Sequence, residues 1–237
     1  MFTHIDHLVI AVNDLPEAID TYTALGFHTY PGGVHAGRGT HNAIAFHEDQ
    51  YLELLAIRDA EEHRAAAASE QTVDAGLPDY VRAGGGIRAV VLESDDLAAD
   101  VAAMRERGVL VTDAQRRERT TPAGQRLEWL MARPLGDDAL PLLFVQHLTP
   151  VEARRAQVPM SAPHPNGVYE MDRIYITGPD LEAMLERYRR VIGAPEASRD
   201  SGIIIKAEMA LFSSGQSQLL LAQPNGPGPA GDALEGR

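Results

Sequence analysis

The stretch Asp6-His7-Leu8-Val9-Ile10-Ala11-Val12-Asn13-Asp14-Leu15 decides how this chain folds. Its aliphatic and β-branched core reads as a strand, and it stops at a polar pair, Asn13-Asp14, suited to cap a helix. A helix is therefore predicted from Leu15. Pro16 sits early in it, Ile19, Tyr22 and Leu25 recur at helical spacing, and Gly26 stands where a C-terminal cap belongs. A strand then leaves Phe27.

The pattern recurs twice. Ile87-Arg88-Ala89-Val90-Val91-Leu92-Glu93-Ser94-Asp95-Asp96-Leu97 opens a second copy, and its segment Leu97 to Gly108 aligns with Leu15 to Gly26 without a gap. Asp172-Arg173-Ile174-Tyr175-Ile176-Thr177-Gly178-Pro179-Asp180-Leu181 opens a third, whose helix runs through Met184, Leu185, Tyr188 and Val191 to Gly193. Strand-like runs follow each helix. They are His28 to Val34, Asn42 to Phe46 and Tyr51 to Ile57 in the first copy, and Val109 to Val111, Arg126 to Met131 and Leu140 to Leu148 in the second. In the third they are Gly202 to Ala207, Ala210 to Phe212 and Gln218 to Ala222. The fold class is thus α+β, with repeated β-α-β-β-β modules forming curved mixed sheets around a concave pocket.

A single module exposes one sheet edge and one apolar face, so modules normally pair into a curved, half-closed barrel. Modules 4–58 and 86–148 supply such a pair within a first domain, 1–150. A Pro-rich linker, 151–167, leads to the third module, 168–223, and a Gly- and Pro-rich tail, 224–237, follows. The linker from Arg58 to Gly86 has room for a short helix. The odd third module needs cover from the linkers, from a missing fourth unit or from a second chain, which makes a homodimer an expectation.

Composition narrows the function. A net charge of -13 repels a phosphate backbone or an anionic membrane surface, so no nucleic acid and no membrane partner is expected. The chain has no cysteine, which excludes disulfides, thiolate metal sites and cysteine nucleophiles and leaves His, carboxylate or amide groups as metal ligands. The start, Met1-Phe2-Thr3-His4-Ile5, lacks the basic and apolar regions of a signal peptide, and no run approaches the ~20 apolar residues of a membrane span. A cytoplasmic location is expected.

The run Asp6 to Val12, the segment Tyr22 to Gly26, the loop Pro31-Gly32-Gly33-Val34-His35-Ala36-Gly37-Arg38-Gly39-Thr40-His41-Asn42 and Tyr51-Leu52-Glu53-Leu54 together resemble a glyoxalase-like domain. So do Pro141 to His147 and His164-Pro165-Asn166-Gly167. The resemblance is to the glyoxalase-like branch of the vicinal oxygen chelate superfamily and covers the chain from His4 to about Pro224. It implies a concave sheet holding a small molecule, often through a divalent metal such as Zn, Ni, Mn or Fe, and no organic cofactor is evident. It also implies metal ligands on the opening and final strands of paired modules, where His7 and Glu53 stand, with Glu53 as candidate catalytic base. The tail Pro224 to Pro229 is similar to the bridge into a fourth module.

The residues themselves bear on this unevenly. Alternation puts Val9 and Ala11 on the face of His7, and Tyr51 and Leu55 on that of Glu53. A carboxylate in an apolar strand must be metal-bound, hydrogen-bonded or protonated. In the second module Ala89 falls opposite His7; in the third, Arg173 replaces His7 and Leu219 replaces Glu53. On the last strand of the second module, Leu142, Phe144 and Gln146 are read as the concave face, with Gln146 able to coordinate and His147 turned away unless a bulge intervenes. Candidate substrate-binding residues are His35 in the Gly-rich loop, Asn42, the single tryptophan Trp129, and Arg126 and Gln146 for a carboxylate or carbonyl. His41 is a weaker candidate, and Gly37 and Gly39 read as a tight turn.

Three functions remain open. One is a metal-dependent lyase, isomerase or dioxygenase acting on a small molecule with neighbouring oxygens. Another is a non-catalytic binding or resistance protein using the same cup. The third is an assembly module built on the unpaired repeat.

Overall fold

The computed structural model describes residues 2–47, 49–69, 73–156, 163–193, 198–214 and 217–236. The first module runs β1 (Phe2–Ala11), α1 (Leu15–Ala24), β2 (Tyr30–His35), β3 (Thr40–His47) and β4 (Gln50–Ile57). The linker after it forms two helices, α2 (Ala60–Ser69) and α3 (Leu77–Arg82). The second module is β5 (Gly86–Ser94), α4 (Leu97–Glu106), β6 (Gln115–Thr120), β7 (Arg126–Ala132) and β8 (Leu142–His147). A short helix, α5 (Val151–Arg155), precedes the third module of β9 (Arg173–Thr177), α6 (Leu181–Ile192), β10 (Ser198–Gly202), β11 (Ala207–Ser214) and β12 (Ser217–Pro224). Helix α7 (Pro229–Leu234) lies in the tail. The middle of the Pro-rich linker, 157–162, falls outside the described residues.

The three module helices start alike. Asp14, Asp96 and Asp180 each accept a hydrogen bond from the backbone N–H three residues on, at 2.9, 3.0 and 3.0 Å. They end alike too, with Gly26, Gly108 and Gly193 at φ of 86°, 78° and 71°.

Strands β1 to β8 close into a barrel in the order β1-β4-β3-β2-β6-β7-β8-β5. The first strands of the two modules pair antiparallel, His7 with Val91 and Val9 with Ala89. The seam between β2 and β6 is thin: among the described residues, Val34 pairs with Thr120 alone. Gly33 stands beside it at φ 135°, where an added Cβ would lie 2.6 Å from the Thr120 carbonyl oxygen, so only glycine lets the strands approach.

Two strands differ from expectation. The hydrophobic run Val109 to Val111 contributes one isolated bridge, Val111 to Pro134, and the strand is instead the charged Gln115–Thr120. In the third module Ile203 and Ile204 are exposed in a turn, and the edge strand is the polar Ser198–Gly202. Both true strands lie where side chains reach solvent or the cup, so neither shows the apolar alternation of a half-buried strand.

The third module forms its own sheet, β10-β11-β12-β9, yet shares a core with the barrel. Leu185 and Tyr188 of α6 with Phe212, Leu219 and Leu221 join Ile5, Val90, Leu92 and Phe144 of the barrel's outer face and Met104 of α4 in one apolar cluster. The other face of that sheet, through Met209 and Leu220, is packed by Ala230 of α7 and by Ile205. The odd module thus finds cover within the chain. Among the described residues no helix is long and apolar enough to cross a membrane.

Candidate functional site

The barrel encloses a cavity of about 620 Å³. Its two sides differ in chemistry. From the first module come His7, Tyr51, Glu53, Asn42, His35 and Thr40. From the second come Ala89, Leu127, Trp129, Leu143 and Val145, which with Val9 and Leu55 make an apolar wall.

The polar side begins with a β-bulge. On the β1–β5 ladder Ile5 pairs with Leu92 and His7 with Val91, which leaves Asp6 without a partner. Asp6 and His7, neighbours in sequence, therefore turn toward each other instead of to opposite faces, with Asp6 Oδ2 2.5 Å from His7 Nδ1. The bulge also frees the backbone of Ile5. Its N–H is taken by Ser217 Oγ of the third module at 3.2 Å, and its carbonyl by Gln50 Nε2 at 3.0 Å.

From His7 the chain of contacts runs on to Glu53. His7 Nε2 lies 3.5 Å from Glu53 Oε2, and Asn42 Nδ2 donates to Glu53 Oε1 at 2.5 Å. His35 Nε2 is 3.8 Å from the same Oε1, and its Nδ1 is bonded to Thr40 Oγ1 at 2.9 Å. Behind His7, the other oxygen of Asp6 accepts from His147 Nε2 at 2.8 Å, and Arg154 Nη1 lies 2.9 Å from that nitrogen and 3.6 Å from the same oxygen. The Tyr51 ring stacks on His7 with centroids 4.3 Å apart.

These contacts set the charges. Burial alone would push His7 down, but hydrogen bonds and the charges of Asp6 and Glu53 hold it up at about 9, so it is a cation at neutral pH. Burial would raise Glu53, yet the hydrogen bond and charge of His7, with the Asn42 amide, hold it at about 2. Asp6, fully buried, is kept well below the usual carboxylate range by His147 and His7 against its own desolvation. Burial pushes His35 the other way, to about 4, so that ring is neutral. The burial of two carboxylates is tolerated because Asp6 is met by two imidazoles and Glu53 by an imidazole and an amide.

Of the residues expected from sequence, His7, His35, Asn42, Glu53 and Trp129 line the cavity together. Arg126 and Gln146 do not. Arg126 is 60% exposed and pairs with Glu118 and, at 2.9 Å, with Glu128. Gln146 caps α4, accepting from Leu97 N at 3.0 Å and donating to Asp95 O at 2.9 Å. The face assignment on β8 is inverted: Phe144 and Gln146 turn toward the helices, Leu143, Val145 and His147 line the cup, and Leu142 packs in the outer core at the cavity's edge. Both faces of β8 are apolar, because helices cover one and the cup the other, so alternation alone does not choose between them. Asp6, Tyr51, Arg119, His147 and Arg154 complete the site and were not proposed as site residues from sequence. Register supplies a signal for β8: Val9 pairs with Glu53 and Val91 with Leu143, so Leu143 is the counterpart of Glu53.

That register also tests the metal. The two positions facing His7 and Glu53 across the module symmetry are Ala89 and Leu143, neither a ligand. A protein-held divalent ion needs at least three ligands as a rule. Among the described residues, His7, His35 and Glu53 do not bring one ligand atom each within 4.8 Å of one another. The group that does is His4, Asp6 and Glu93. There, Asp6 is already bonded to two imidazoles and His4 Nε2 lies 3.2 Å from Glu93. The donor set of the cup does not fit a chelated ion.

A model of the glyoxalase-like domain matches residues 5–192, and the chain belongs to this family, within the vicinal oxygen chelate superfamily. Among solved structures, a hypothetical protein from Staphylococcus aureus is similar at 14% identity over 94% of this chain and 86% of that one, with a TM-score of 0.73. A mutant of 4-hydroxymandelate synthase from Streptomyces coelicolor is 15% identical over 97% of this chain and 66% of that one, at a TM-score of 0.60. A methylmalonyl-CoA epimerase variant from Streptomyces coelicolor is 23% identical over 63% of this chain and 100% of that one, at 0.40. A search of curated proteins found no match.

Proposed function

We propose that the cup binds a small, mainly apolar carbonyl compound and that Glu53 moves a proton to and from the carbon beside the carbonyl. The observation that carries this reading is the buried chain Asp6–His7–Glu53, which ends on a carboxylate at the wall of the 620 Å³ cavity. Two catalytic needs meet there. An imidazolium is available to stabilise an enolate oxygen, and a carboxylate is available to take the proton.

The two groups restrain each other, because the His7 charge makes Glu53 a weak base. A substrate oxygen that takes over the Nε2–H of His7 releases Glu53 and strengthens it as a base in the same step. The Asp6 bond at Nδ1 keeps the ring oriented throughout, and Asn42 fixes the other carboxylate oxygen. The proton returns from Glu53 to carbon, from the same or the opposite face, to give exchange or isomerisation. The apolar wall excludes water from the enolate.

Deuterium incorporation tests this without knowledge of the natural substrate. With 4-phenyl-2-butanone in D₂O, the protein should speed exchange of the hydrogens beside the carbonyl, and Glu53→Gln should abolish the acceleration. Acceleration that survives in Glu53→Gln would overturn the role given to Glu53. Binding of the ketone with no exchange would leave the second reading, a non-catalytic small-molecule binder, which the aliphatic residues at Ala89 and Leu143 favour.

A further inference from the structure

In the barrel, the opening strands of the two paired modules cover each other. β1 and β5 run antiparallel, with His7 opposite Val91 and Val9 opposite Ala89. The opening strand of the third module, β9, is the last strand of its sheet and pairs with β12 alone among the described residues. Helix α6 and the barrel cover one face of that sheet, and α7 with Ile205 covers the other. No strand covers its β9 edge.

The ladder shows which backbone groups are left over. The Asp172 carbonyl accepts from the Gln218 N–H at 2.9 Å, and along a parallel pair every second residue bonds to the neighbour. Asp172, Ile174 and Ile176 therefore face β12, and the N–H and C=O groups of Arg173, Tyr175 and Thr177 point out of the sheet. On β1 the Val12 N–H donates to the Leu55 carbonyl at 2.9 Å, which turns the backbone of His7, Val9 and Ala11 toward β5. Counted back from the helix starts at Leu15 and Leu181, these are the residues that Arg173, Tyr175 and Thr177 match. A row of unpaired backbone groups is a template for another strand. Apolar side chains lie exposed beside it: Tyr175 at 45% and, on the approach to β9, Val168 and Tyr169.

We propose that a second copy of this chain occupies the β9 edge, its own β9 running antiparallel across a two-fold axis so that the two four-stranded sheets become one. The β1–β5 register sets the contacts. By the same count from Leu97, Ala89 and Val91 match Arg173 and Tyr175. His7 opposite Val91 thus becomes Arg173 opposite Tyr175 of the partner subunit, and Val9 opposite Ala89 becomes Tyr175 opposite Arg173 of the partner subunit. Each pair exchanges two backbone hydrogen bonds and lays a guanidinium against a phenol ring. Ile174 falls on the axis, opposite Ile174 of the partner subunit. The edge is self-complementary in this register, which favours a second copy over an unrelated strand. A contact through one short strand is small, so the dimer should dissociate at about 10 to 100 μM. The interface does not depend on what the cup binds.

The chain has no cysteine, so single cysteines test the register. At a non-hydrogen-bonded antiparallel pair the Cα atoms stand about 4.5 Å apart, within the span of a disulfide, and Ile174 forms such a pair with its own copy. Ile174→Cys should give a covalent dimer on mild oxidation, seen on non-reducing gels and lost with reductant. In Tyr175→Cys the two positions are diagonal, about 7 to 8 Å apart, and the dimer should not form. Light scattering on the unaltered chain should show the mass rising from one chain to two between about 1 μM and 1 mM. Tyr175→Pro removes an outward N–H that β12 does not use, so it should keep its melting temperature within a few degrees and lose the dimer. Should that variant fail to fold, Tyr175→Arg sets two arginines against each other in each pair and should weaken association at least about 10-fold. Adding Arg173→Tyr to it restores the Arg–Tyr pairs and should restore the dimer. A chain still monomeric at about 1 mM, cross-linking of Tyr175→Cys in place of Ile174→Cys, or association unchanged in folded Tyr175→Pro or in Tyr175→Arg would each overturn the interface.

Discussion

The two halves of the barrel share a backbone plan and oppose each other in chemistry. His7 and Glu53 of the first module face positions that the second fills with Ala89 and Leu143, although Val9 to Glu53 and Val91 to Leu143 pair in the same register. Where the chain places a charge on one side, it places a methyl or isobutyl group on the other. The repeat therefore fixes geometry and leaves chemistry free: β1 and β4 bring His7 and Glu53 to the cup where β5 and β8 bring Ala89 and Leu143. The cup is polarised from side to side, which suits a molecule with an oxygen-bearing end and an apolar end better than an ion held in the middle.

The largest expected effect falls on the charged half. Glu53→Gln, which keeps shape and the Asn42 contact, should slow deuterium exchange by about 10²-fold to 10⁴-fold, as loss of a general base does. A melting temperature near that of wild type would show that the fold survives. Retained exchange would mean that the asymmetry has no catalytic meaning.

Next comes the pH dependence of stability. His7 titrates near 9 in the folded chain against 6.5 unfolded, so its contribution is complete below 6.5 and disappears as the pH rises through 9. Over that window the loss is of the order of 3 kcal/mol. Glu53, held at about 2 against 4.5, and Asp6, held lower still, contribute above their unfolded values and lose that contribution as the pH falls. His35 and His47, held at about 4 against 6.5 by burial, lose their contribution as the pH falls below 6.5, so thermal melts should be highest near pH 6.5. Asp6→Asn should flatten the alkaline slope; an unchanged slope would remove the Asp6–His7 bond as its source.

A more constructive change gives the apolar half the residues of the charged one. Ala89→His with Leu143→Glu should create a four-ligand set with His7 and Glu53 and bring stoichiometric zinc or nickel uptake, read by elemental analysis, where the wild-type protein takes up less. Equal uptake in both would show that the first module binds metal unaided. The smallest effect belongs to the support under the bulge. Ser217→Ala, which leaves the Ile5 N–H without its acceptor, should cost about 1 kcal/mol in denaturant unfolding and lower the exchange rate slightly.

Legibility followed the range of each interaction. The opening strands, helices and caps of all three modules are written locally: Asp14, Asp96 and Asp180 cap their helices from three residues away. His7, Glu53, Asn42, His35 and Trp129 were legible because a polar or large aromatic group in an apolar strand or a Gly-rich loop needs a reason. The polar strands Gln115–Thr120 and Ser198–Gly202 were not, since their partners lie elsewhere in the chain. Arg119 looks like any charge on an exposed strand until the seam brings it to Gly32, 87 residues away.

By itself the sequence determined the repeating module, the absence of thiol chemistry and the ligand-type residues of the first repeat, all of which depend on spacing and residue type. Only the tertiary structure decided which face of β8 meets the cup, that Asp6 and His7 turn toward each other, and that Arg154, from a linker, meets His147 and Asp6. Strand alternation is symmetric between two buried faces, and a one-residue bulge reverses it. Closing the barrel, with Ser217 of the third module holding the bulge in place, breaks that symmetry.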